Sequence, residues 1–372
     1  MFRKGGEELN KKEQEVIELI RKNPYLSQQE MADSLQMSRP SLANLISGLI
    51  RQGKIAGRAY ILPDEGTVVC IGGANVDRKF WLEKTAQMGT SNPAAVSGSV
   101  GGVARNVAEN LGRMGHRVKL MSIAGNDPEW KLIEETSSPF MDTELTKTQN
   151  DLSTGTYTAI LEPDGEMILA MADMAIYDSL TVEYVKRHET ALMAAAFLVI
   201  DLNCPKETVR YVQELAKTRN IPLAVIPVST PKIDRLGEDL AGITWLILNK
   251  GEAERFLSIK IDSPEAWKNA ATRILGHGAE NVVITAGKEG VMAGNRERIS
   301  HFAAIDVPEL LDVTGAGDAF SSGIIHSYLK DHPFEKIIQT GLINAAKTLQ
   351  NESTVRTELS AMQLQIELEE LL

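Results

Sequence analysis

The sequence has few cysteines and no long apolar run. Cys70 and Cys204 stand alone among 372 residues, and each lies in an apolar, strand-like segment. This indicates buried thiols rather than a disulfide framework or a metal site. The absence of about 18 consecutive apolar residues excludes a membrane-spanning helix. Residues 1–4 lead into charge rather than into the apolar core of a secretory signal, so we expect a cytoplasmic protein.

An excess of basic residues is also missing, because the formal net charge is −11. Such a charge argues against a chain covered by nucleic acid. The charge is uneven, since residues 1–65 carry a net +1 and the remainder carries −12. The length suits a large enzymatic domain and a small accessory one. We therefore expect two parts with different partners.

The N-terminal part has the signals of three short helices. Asn10 can cap the first, Ser27 and Glu30 form a capping box that opens the second, and Ser38 can cap the third. Residues 53–62 then read as a short β-hairpin.

This arrangement resembles the winged helix-turn-helix of bacterial regulators, which implies binding to operator DNA as a dimer. A three-helix module for protein interaction or dimerisation is the alternative, because a net charge of +1 gives little counterion release. The candidate DNA contacts are the polar start of the third helix and the hairpin: Ser38, Arg39, Ser41, Asn44, Lys54 and Arg58.

Beyond residue 66, apolar segments of strand length alternate with helical patterns. This alternation predicts an α/β fold with a doubly wound, mostly parallel sheet and with ligands at the carboxyl ends of its strands. Residues 155–161 and 166–171 read instead as an antiparallel hairpin outside that sheet, which can serve as a lid. The predicted strands are 67–71, 118–123, 196–201, 223–226, 244–248 and 281–285, and the predicted helices are 103–114, 206–219, 264–277 and 335–350.

The domain boundaries follow from these patterns. We expect a winged helix-turn-helix domain at 1–62, a large α/β domain at 66–356 that includes lid segments at about 78–100 and 155–173, and a C-terminal helix at 357–372. No function is assigned to that last helix.

The most informative segment is D-V-T-G-A-G-D-A-F at 312–320. Small residues at 315–317 open a helix at 319–329, and their N–H groups can form an anion hole for a transferred phosphate. Asp318 at the same tip can take a proton from an attacking hydroxyl. A bare glycine-rich turn with an exposed carboxylate is the alternative, but the whole string resembles the signature of ribokinase-like (PfkB) carbohydrate kinases. The resemblance implies catalysis by Asp318, Gly315, Ala316 and Gly317, with ATP as the phosphate donor.

Two earlier segments resemble the substrate motifs of the same family. In G-G-V-A-R-N at 101–106, Gly101 and Gly102 let the backbone approach a sugar, and Asn106 can bind hydroxyls. In G-G-A-N-V-D at 72–77, the resemblance implies ribose binding by Asn75 and Asp77, although the two can also be plain turn residues.

Further segments resemble the nucleotide side of the family. Asn249 and Glu252 match its N-x-x-E motif, which implies that they order Mg²⁺ through water, whereas a helix-start carboxylate is the alternative for Glu252. Asp312 and Thr314 match a monovalent-cation site, which implies K⁺. The ATP-binding residues implied in this way are Asn249, Thr285, Gly287, Gly290, Gly315, Gly317 and Asn344.

The expected substrate comes from four segments that are similar to one branch of this family. Segments 91–93, 101–106, 173–174 and 201–204 are similar to the pseudouridine kinase branch, some members of which carry an N-terminal helix-turn-helix. This likeness implies transfer to the 5′-hydroxyl of pseudouridine, with Asn203 near the sugar. Asp173 can contact the base from the lid or be a solvated carboxylate.

The sequence also departs from that branch. Ala104 replaces a usual glycine, Pro227 lacks a preceding aspartate, and Trp130 replaces a common glycine. Kinases for inosine, guanosine or a free sugar therefore remain alternatives, as does a transcriptional regulator that uses a kinase fold as its ligand sensor. Since lid strands of such kinases often pair between subunits, we expect a homodimer and no membrane partner.

Overall fold

The structure is a computed structural model that describes residues 10–22, 26–55 and 66–371. The α-helices are α1 (Lys11–Lys22), α2 (Gln28–Ser34), α3 (Arg39–Arg51), α4 (Val103–Arg113), α5 (Pro128–Ser137), α6 (Val182–Arg187), α7 (Glu189–Ala194), α8 (Lys206–Arg219), α9 (Lys250–Leu257), α10 (Pro264–Gly276), α11 (Ala316–Leu329), α12 (Phe334–Thr348) and α13 (Ala361–Leu371). The strands are β1 (Thr67–Ile71), β2 (Asn75–Leu82), β3 (Ala94–Gly101), β4 (Arg117–Met121), β5 (Ile123–Gly125), β6 (Lys147–Gln149), β7 (Thr156–Leu161), β8 (Met167–Asp173), β9 (Phe197–Asp201), β10 (Leu223–Ile226), β11 (Trp245–Asn249), β12 (Asn281–Thr285), β13 (Val291–Asn295) and β14 (Ile299–Phe302).

The N-terminal helices begin at the expected caps. Ser27 Oγ accepts from the N–H of Glu30 at 3.2 Å while the Glu30 carboxylate accepts from the N–H of Ser27 at 2.7 Å, which is the predicted capping box. Ser38 caps α3 through its hydroxyl, which accepts from the N–H of Ser41 at 3.3 Å. Apolar side chains of the three helices form one small core that includes Val16, Ile20, Met31, Leu42, Leu49 and Ile55. Residues 56–65 lie outside the described residues. They include most of the predicted hairpin at 53–62 and Arg58.

The main sheet has the strand order β14-β13-β12-β11-β10-β9-β1-β4. Its strands pair in parallel from β4 to β12, whereas β13 and β14 are antiparallel. Alternate residues face opposite layers of helices: Val69 and Ile71 enter one apolar core, and Val68 and Cys70 enter the other. Both faces are therefore covered, which confirms the doubly wound α/β prediction.

A smaller sheet, which we call the lid sheet, has the order β3-β2-β7-β8. β7 and β8 pair antiparallel, as predicted for the hairpin, and β2 pairs in parallel with β7 and antiparallel with β3. β2 begins shortly after the carboxyl end of β1, so the lid sheet grows out of the edge where ligands of parallel sheets bind.

Two helices begin more than two residues away from the predicted position. α11 begins at Ala316 rather than at 319, because Gly315 adopts a left-handed conformation (φ 81°) as its N-cap and the small residues continue directly into the first turn. α13 begins at Ala361 rather than at 357, where the hydroxyl of Ser360 accepts from the N–H of Gln363 at 3.1 Å. No helix in the described part of the chain is long and apolar enough to cross a bilayer.

Candidate active site

The N-terminus of α11 presents free backbone N–H groups. A Cβ on Gly315 would lie 2.1 Å from the carbonyl oxygen of Thr354, so only glycine fits this left-handed position. Among the described residues, no hydrogen bond uses the N–H of Gly317 or of Asp318, whereas that of Ala319 already bonds to Gly315. A Cβ on Gly317 would meet nothing within 4 Å, so this turn opens onto free space. Unpaired amides at the positive end of a helix attract an anion such as a phosphate.

Asp318 projects from this turn with only 9% of its surface exposed. Burial raises the pKa of its carboxyl to about 7, the hydrogen bond from Asn106 opposes this shift, and the charges of Asp201 and Asp77 add to it. A carboxylate that titrates near neutrality can exchange a proton at working pH. The alternative of an exposed first-turn carboxylate is therefore wrong.

Asn106 holds the carboxylate of Asp318 from the facing helix α4. Its Nδ2 donates to Asp318 Oδ2 at 2.8 Å, and its Oδ1 accepts from Arg105 Nη1 at 3.2 Å. Arg105 is itself buried and ion-paired with Glu109. Both functional groups of the Asn106 amide are thus engaged within the protein, and its binding to a sugar hydroxyl stays a prediction.

Asp201, at the carboxyl end of β9, joins the loops of the site. Its carboxylate accepts from the backbone N–H of Gly73 at 2.9 Å, of Ala104 at 3.0 Å and of Asn203 at 2.8 Å. Sequence reasoning gave this residue no role. The available signal was an aspartate that directly follows the apolar run F-L-V-I, at the strand end where doubly wound folds place ligands.

Close backbone approach around Asp201 explains the paired glycines. A Cβ on Gly72 would lie 2.2 Å from Cγ of Asp201, and one on Gly102 would lie 2.4 Å from the carbonyl oxygen of Gly73. A Cβ on Gly101 would lie 2.3 Å from Oδ2 of Asp77. These glycines therefore let the loops and Asp77 pack together, and their predicted contact with a sugar stays a prediction.

Asn75 and Asp77 lie at the start of β2, where the lid sheet leaves the main sheet. Asn75 Nδ2 donates to Asp77 Oδ1 at 2.5 Å. Burial raises the pKa of Asp77 to about 6, against the nearby charge of Lys79 and this hydrogen bond. Since the charge of Asp77 also raises the pKa of Asp318, the two carboxyls belong to one electrostatic cluster.

Asn203 is buried beside two cations that sequence reasoning missed. Its Oδ1 accepts from Lys232 Nζ, and its backbone carbonyl accepts from Arg235 Nη1 at 2.5 Å. Burial lowers the pKa of Lys232, and Asp201 opposes that shift. Asp173, by contrast, is exposed at the end of β8.

On the nucleotide side, Asn249 and Glu252 bind each other. Asn249 Oδ1 accepts from the N–H of Glu252 at 2.9 Å, and the Glu252 carboxylate accepts from the N–H of Asn249 at 2.8 Å. They form a capping box at the start of α9, as the helix-start alternative expected. Burial raises the pKa of Glu252 to about 7.

The loop that follows β12 also needs glycine. Thr285 ends β12, and Gly287 and Gly290 follow it with positive φ angles of 53° and 88°. A Cβ on Gly290 would lie 2.1 Å from the carbonyl oxygen of Phe302, so the loop can turn only with glycine there. Nucleotide binding by these residues stays a prediction.

Asn344, which the sequence predicts to contact ATP, lies beneath α11. Asn344 is fully buried, its Nδ2 donates to the carbonyl of Ala319 at 2.8 Å, and its Oδ1 accepts from Arg356. Both ends of this side chain are thus engaged within the protein, and its contact with ATP stays a prediction.

The oxygens expected to bind K⁺ already contact a protein cation. Lys79 Nζ lies 2.5 Å from Asp312 Oδ2 and 3.4 Å from Thr314 Oγ1. The donors present therefore do not fit a free monovalent cation.

A Mg²⁺ ion at this site would have to be shared with a nucleotide. In residues 10–22, 26–55 and 66–371, no three acidic, histidine or cysteine side chains are grouped to hold a metal ion by themselves. Mg²⁺ typically binds through one or two carboxylates, waters and substrate phosphates, and Glu252 and Asn249 have the carboxylate and amide groups that such a water-mediated ion needs.

Two of the residues that depart from the pseudouridine kinase pattern are buried. Ala104 is fully buried and uses its N–H on Asp201. Trp130 is buried in the first turn of α5 and packs in the core shared with α4 and α11.

The polar start of α3 is exposed in the N-terminal part. Ser38, Arg39, Ser41 and Asn44 all face solvent, and the hydroxyls of Ser38 and Ser41 lie 2.8 Å apart. Lys54, just after this helix, is half-buried.

A buried acid beside unpaired helix-tip amides, at the carboxyl edge of a doubly wound sheet, defines a phosphotransferase-like site. Residues 66–361 match the pfkB family of carbohydrate kinases, and residues 9–56 match a winged helix-turn-helix DNA-binding family. The chain therefore belongs to the pfkB carbohydrate kinase family, and it carries an N-terminal winged helix-turn-helix domain.

Three known proteins illustrate the likeness. An uncharacterized sugar kinase, YeiI, of Escherichia coli (strain K12) is 29% identical over 354 residues, which cover 95% of this chain and 97% of that protein. The pseudouridine kinase of the same strain is 29% identical over 294 residues, or 79% of this chain and 93% of that protein. A carbohydrate kinase from Agrobacterium tumefaciens superposes with a TM-score of 0.72 at 29% identity, over 82% of this chain and 97% of that one.

Proposed function

We propose that this kinase transfers the γ-phosphate of ATP to the 5′-hydroxyl of pseudouridine. The observation that carries the proposal is the pairing of Asp318, whose pKa is about 7, with the free N–H groups of Gly317 and Asp318 at the same helix tip. An acceptor hydroxyl and a phosphate that meet there have both a base and an anion site.

In this proposal the residues of the chain have separate tasks. Asp318 accepts the proton of the attacking hydroxyl, and Asn106 keeps its carboxylate oriented. The free amides of Gly317 and Asp318 stabilise charge on the moving phosphoryl group. Glu252 and Asn249 would hold Mg²⁺ through water, and the ion would neutralise phosphate charge. The lid sheet would cover the acceptor and exclude water, which suppresses hydrolysis of ATP.

In this proposal, polar groups around the start of the lid sheet recognise the acceptor. Asp77 and Asn203 lie beside the paired glycines and provide carboxylate and amide groups for ribose hydroxyls. Asp173, exposed at the end of a lid strand, would contact the base. The pseudouridine kinase likeness supports this nucleoside, while the uncharacterized YeiI leaves other sugars open.

A substrate panel tests the proposal. The purified chain is incubated with Mg²⁺-ATP and pseudouridine, uridine, inosine, guanosine or ribose, and products are identified by mass spectrometry and ³¹P NMR. We expect 5′-phosphorylated pseudouridine with the highest kcat/KM. Preference for another acceptor would replace the substrate, and no turnover with any would favour a ligand sensor over an enzyme.

We propose further that residues 1–62 bind operator DNA, because the polar start of α3 is exposed. DNA selected from a random library by the full chain provides the probe. Arg39→Ala and Asn44→Ala should each weaken binding by about 1–3 kcal/mol if they reach base edges. Arg51→Ala, an exposed arginine at the other end of the same helix, is the control. Failure to enrich any sequence would favour a protein-interaction module.

A homodimer is part of the same proposal. β8 is an edge strand of the lid sheet and exposes Met167, Leu169 and Met171, an apolar edge that a second copy would cover. Sedimentation of the wild type should show a dimer, and Leu169→Lys should shift it toward monomer. A monomeric wild type would contradict this part.

A further inference from the structure

Lys79 joins the lid sheet to the loop that precedes the anion site. It lies on β2, and its Nζ contacts Asp312 Oδ2 at 2.5 Å and Thr314 Oγ1 at 3.4 Å. Lys79 and Asp312 are 233 residues apart in sequence. Because Asp77 and Lys79 are two residues apart on one strand, their side chains share a face of the lid sheet. β2 therefore carries both Asp77, a predicted substrate ligand, and the positively charged side chain of Lys79.

The carboxylate of Asp312 has its hydrogen-bonding capacity largely filled. Its second oxygen, Oδ1, accepts from the N–H of Thr314 at 2.9 Å and from the Thr314 hydroxyl at 2.7 Å. Burial opposes ionisation, but the hydrogen bonds from Lys79 and Thr314 outweigh it and hold the pKa of Asp312 below its ordinary value. Both side chains of the ion pair are partly buried, with 28% and 23% exposed, so solvent screens the pair incompletely.

We propose that the Lys79 ammonium is the resident cation of this loop and takes the place of a K⁺ ion at Asp312 and Thr314. A second cation at the same carboxylate would be repelled by the ammonium and would have to displace it. The chain therefore works without K⁺, and Lys79 acts as a positioning residue: it fixes Asp312, which fixes Thr314 and the turn at Gly315. Its relevance to turnover rests on the proposed kinase function.

The direct test is nucleotide-free thermal unfolding of the full chain in KCl and in choline chloride at equal ionic strength. The wild type should melt at the same temperature in both salts. Lys79→Met leaves Asp312 without its cation, so it should gain a K⁺-specific rise in melting temperature that choline does not produce. Lys84→Met, at an exposed lysine of the same lid region, should behave as the wild type.

Turnover gives a second readout. In choline chloride, Lys79→Met should lose on the order of tenfold in kcat because the turn at Gly315 is misplaced, and KCl should restore part of that loss. A wild type that is stabilised or activated several-fold by K⁺ would overturn the proposal, as would a Lys79→Met variant whose melting does not respond to K⁺. If the wild type phosphorylates no acceptor, the proposed kinase function fails, but the melting experiment still decides the role of Lys79.

Discussion

The side-chain amide of Asn106 lies 2.8 Å from Oδ2 of Asp318 and joins α4 to the first turn of α11. Because Arg105 donates to Oδ1 of Asn106, the amide NH₂ is the end that faces the carboxylate. This hydrogen bond favours the ionised acid, whereas burial favours the neutral one. The pKa of the proposed base is therefore set by opposing effects, and substitutions should move it in both directions.

The pH profile of turnover should follow this balance. With a pKa of about 7, Asp318 is an active base only when ionised, so kcat/KM should rise as the pH increases through 7 and then level off. Asn106→Ala removes a hydrogen bond to the carboxylate and should move this rise to higher pH. Asp77→Asn removes a neighbouring negative charge and should move it to lower pH.

Steady-state kinetics across the pH range, with buffers of constant ionic strength, measures these shifts. Because Asp318 and Asp77 interact, each midpoint belongs to the cluster, and the direction of the shift is the informative result. Shifts of the same sign in both variants would contradict the role assigned to Asp318.

Removing the carboxylate itself should affect the chemical step far more than binding. We expect Asp318→Asn to lower kcat by about 10²–10⁴-fold, the usual contribution of a general base. Binding of the nucleoside, measured by calorimetry, should remain detectable. Asp262→Asn, which changes an exposed acid before α10, is the matched control and should keep the wild-type rate. A near wild-type rate for Asp318→Asn would show that another group takes the proton.

The parts of the site that sequence reasoning found are those encoded locally. The helix tip at 315–318 and the N-x-x-E segment of Asn249 and Glu252 each lie within a few residues, so their spacing carries the geometry. Asp201 and Lys79 were missed because their partners lie 128 and 233 residues away, and only the folded sheet brings them together. The burial of Asn344 was also missed, because a helical pattern does not show that an amide is hydrogen-bonded deep beneath a neighbouring helix.

A buried histidine pair should make stability depend on pH. His116 Nε2 and His326 Nδ1 lie 2.8 Å apart, and burial, with the charge of Lys330, lowers their pKa values to about 4 and about 3. The unfolded chain, with ordinary values near 6.5, then binds more protons than the folded one. The free energy of unfolding contributed by the pair is therefore complete above pH 6.5 and decreases as the pH falls toward 4.

The measurement is urea unfolding at several pH values for the wild type and for the double variant His116→Gln/His326→Gln. The buried acids Asp318 and Glu252, with pKa values raised to about 7, act with the opposite sign, since their stabilising neutral form is lost as pH rises. The difference between the two proteins isolates the histidines. This difference in the free energy of unfolding should decrease as the pH falls from 6.5. A difference that does not depend on pH would contradict the assignment.

The last prediction concerns the C-terminal helix, α13, which a buried ion pair connects to the helices around α11. Arg356 is fully buried, donates to both carboxylate oxygens of Glu367 at 2.7 Å and also contacts Oδ1 of Asn344. Asn344 in turn donates to the carbonyl of Ala319, the residue after Asp318. Through these contacts α13 supports the start of α11.

Removing one partner of this ion pair should destabilise the folded protein. Arg356→Ala leaves the Glu367 carboxylate buried without its partner, so we expect a loss of about 3–5 kcal/mol in the free energy of unfolding. Arg356→Met/Glu367→Met removes both charges and should lose less, because no unpaired charge stays buried. Arg255→Ala breaks an exposed pair with Asp234 and should cost less than about 1 kcal/mol. Urea unfolding compares the three, and equal losses for the single and double variants at position 356 would mean that the ion pair does not support the helix.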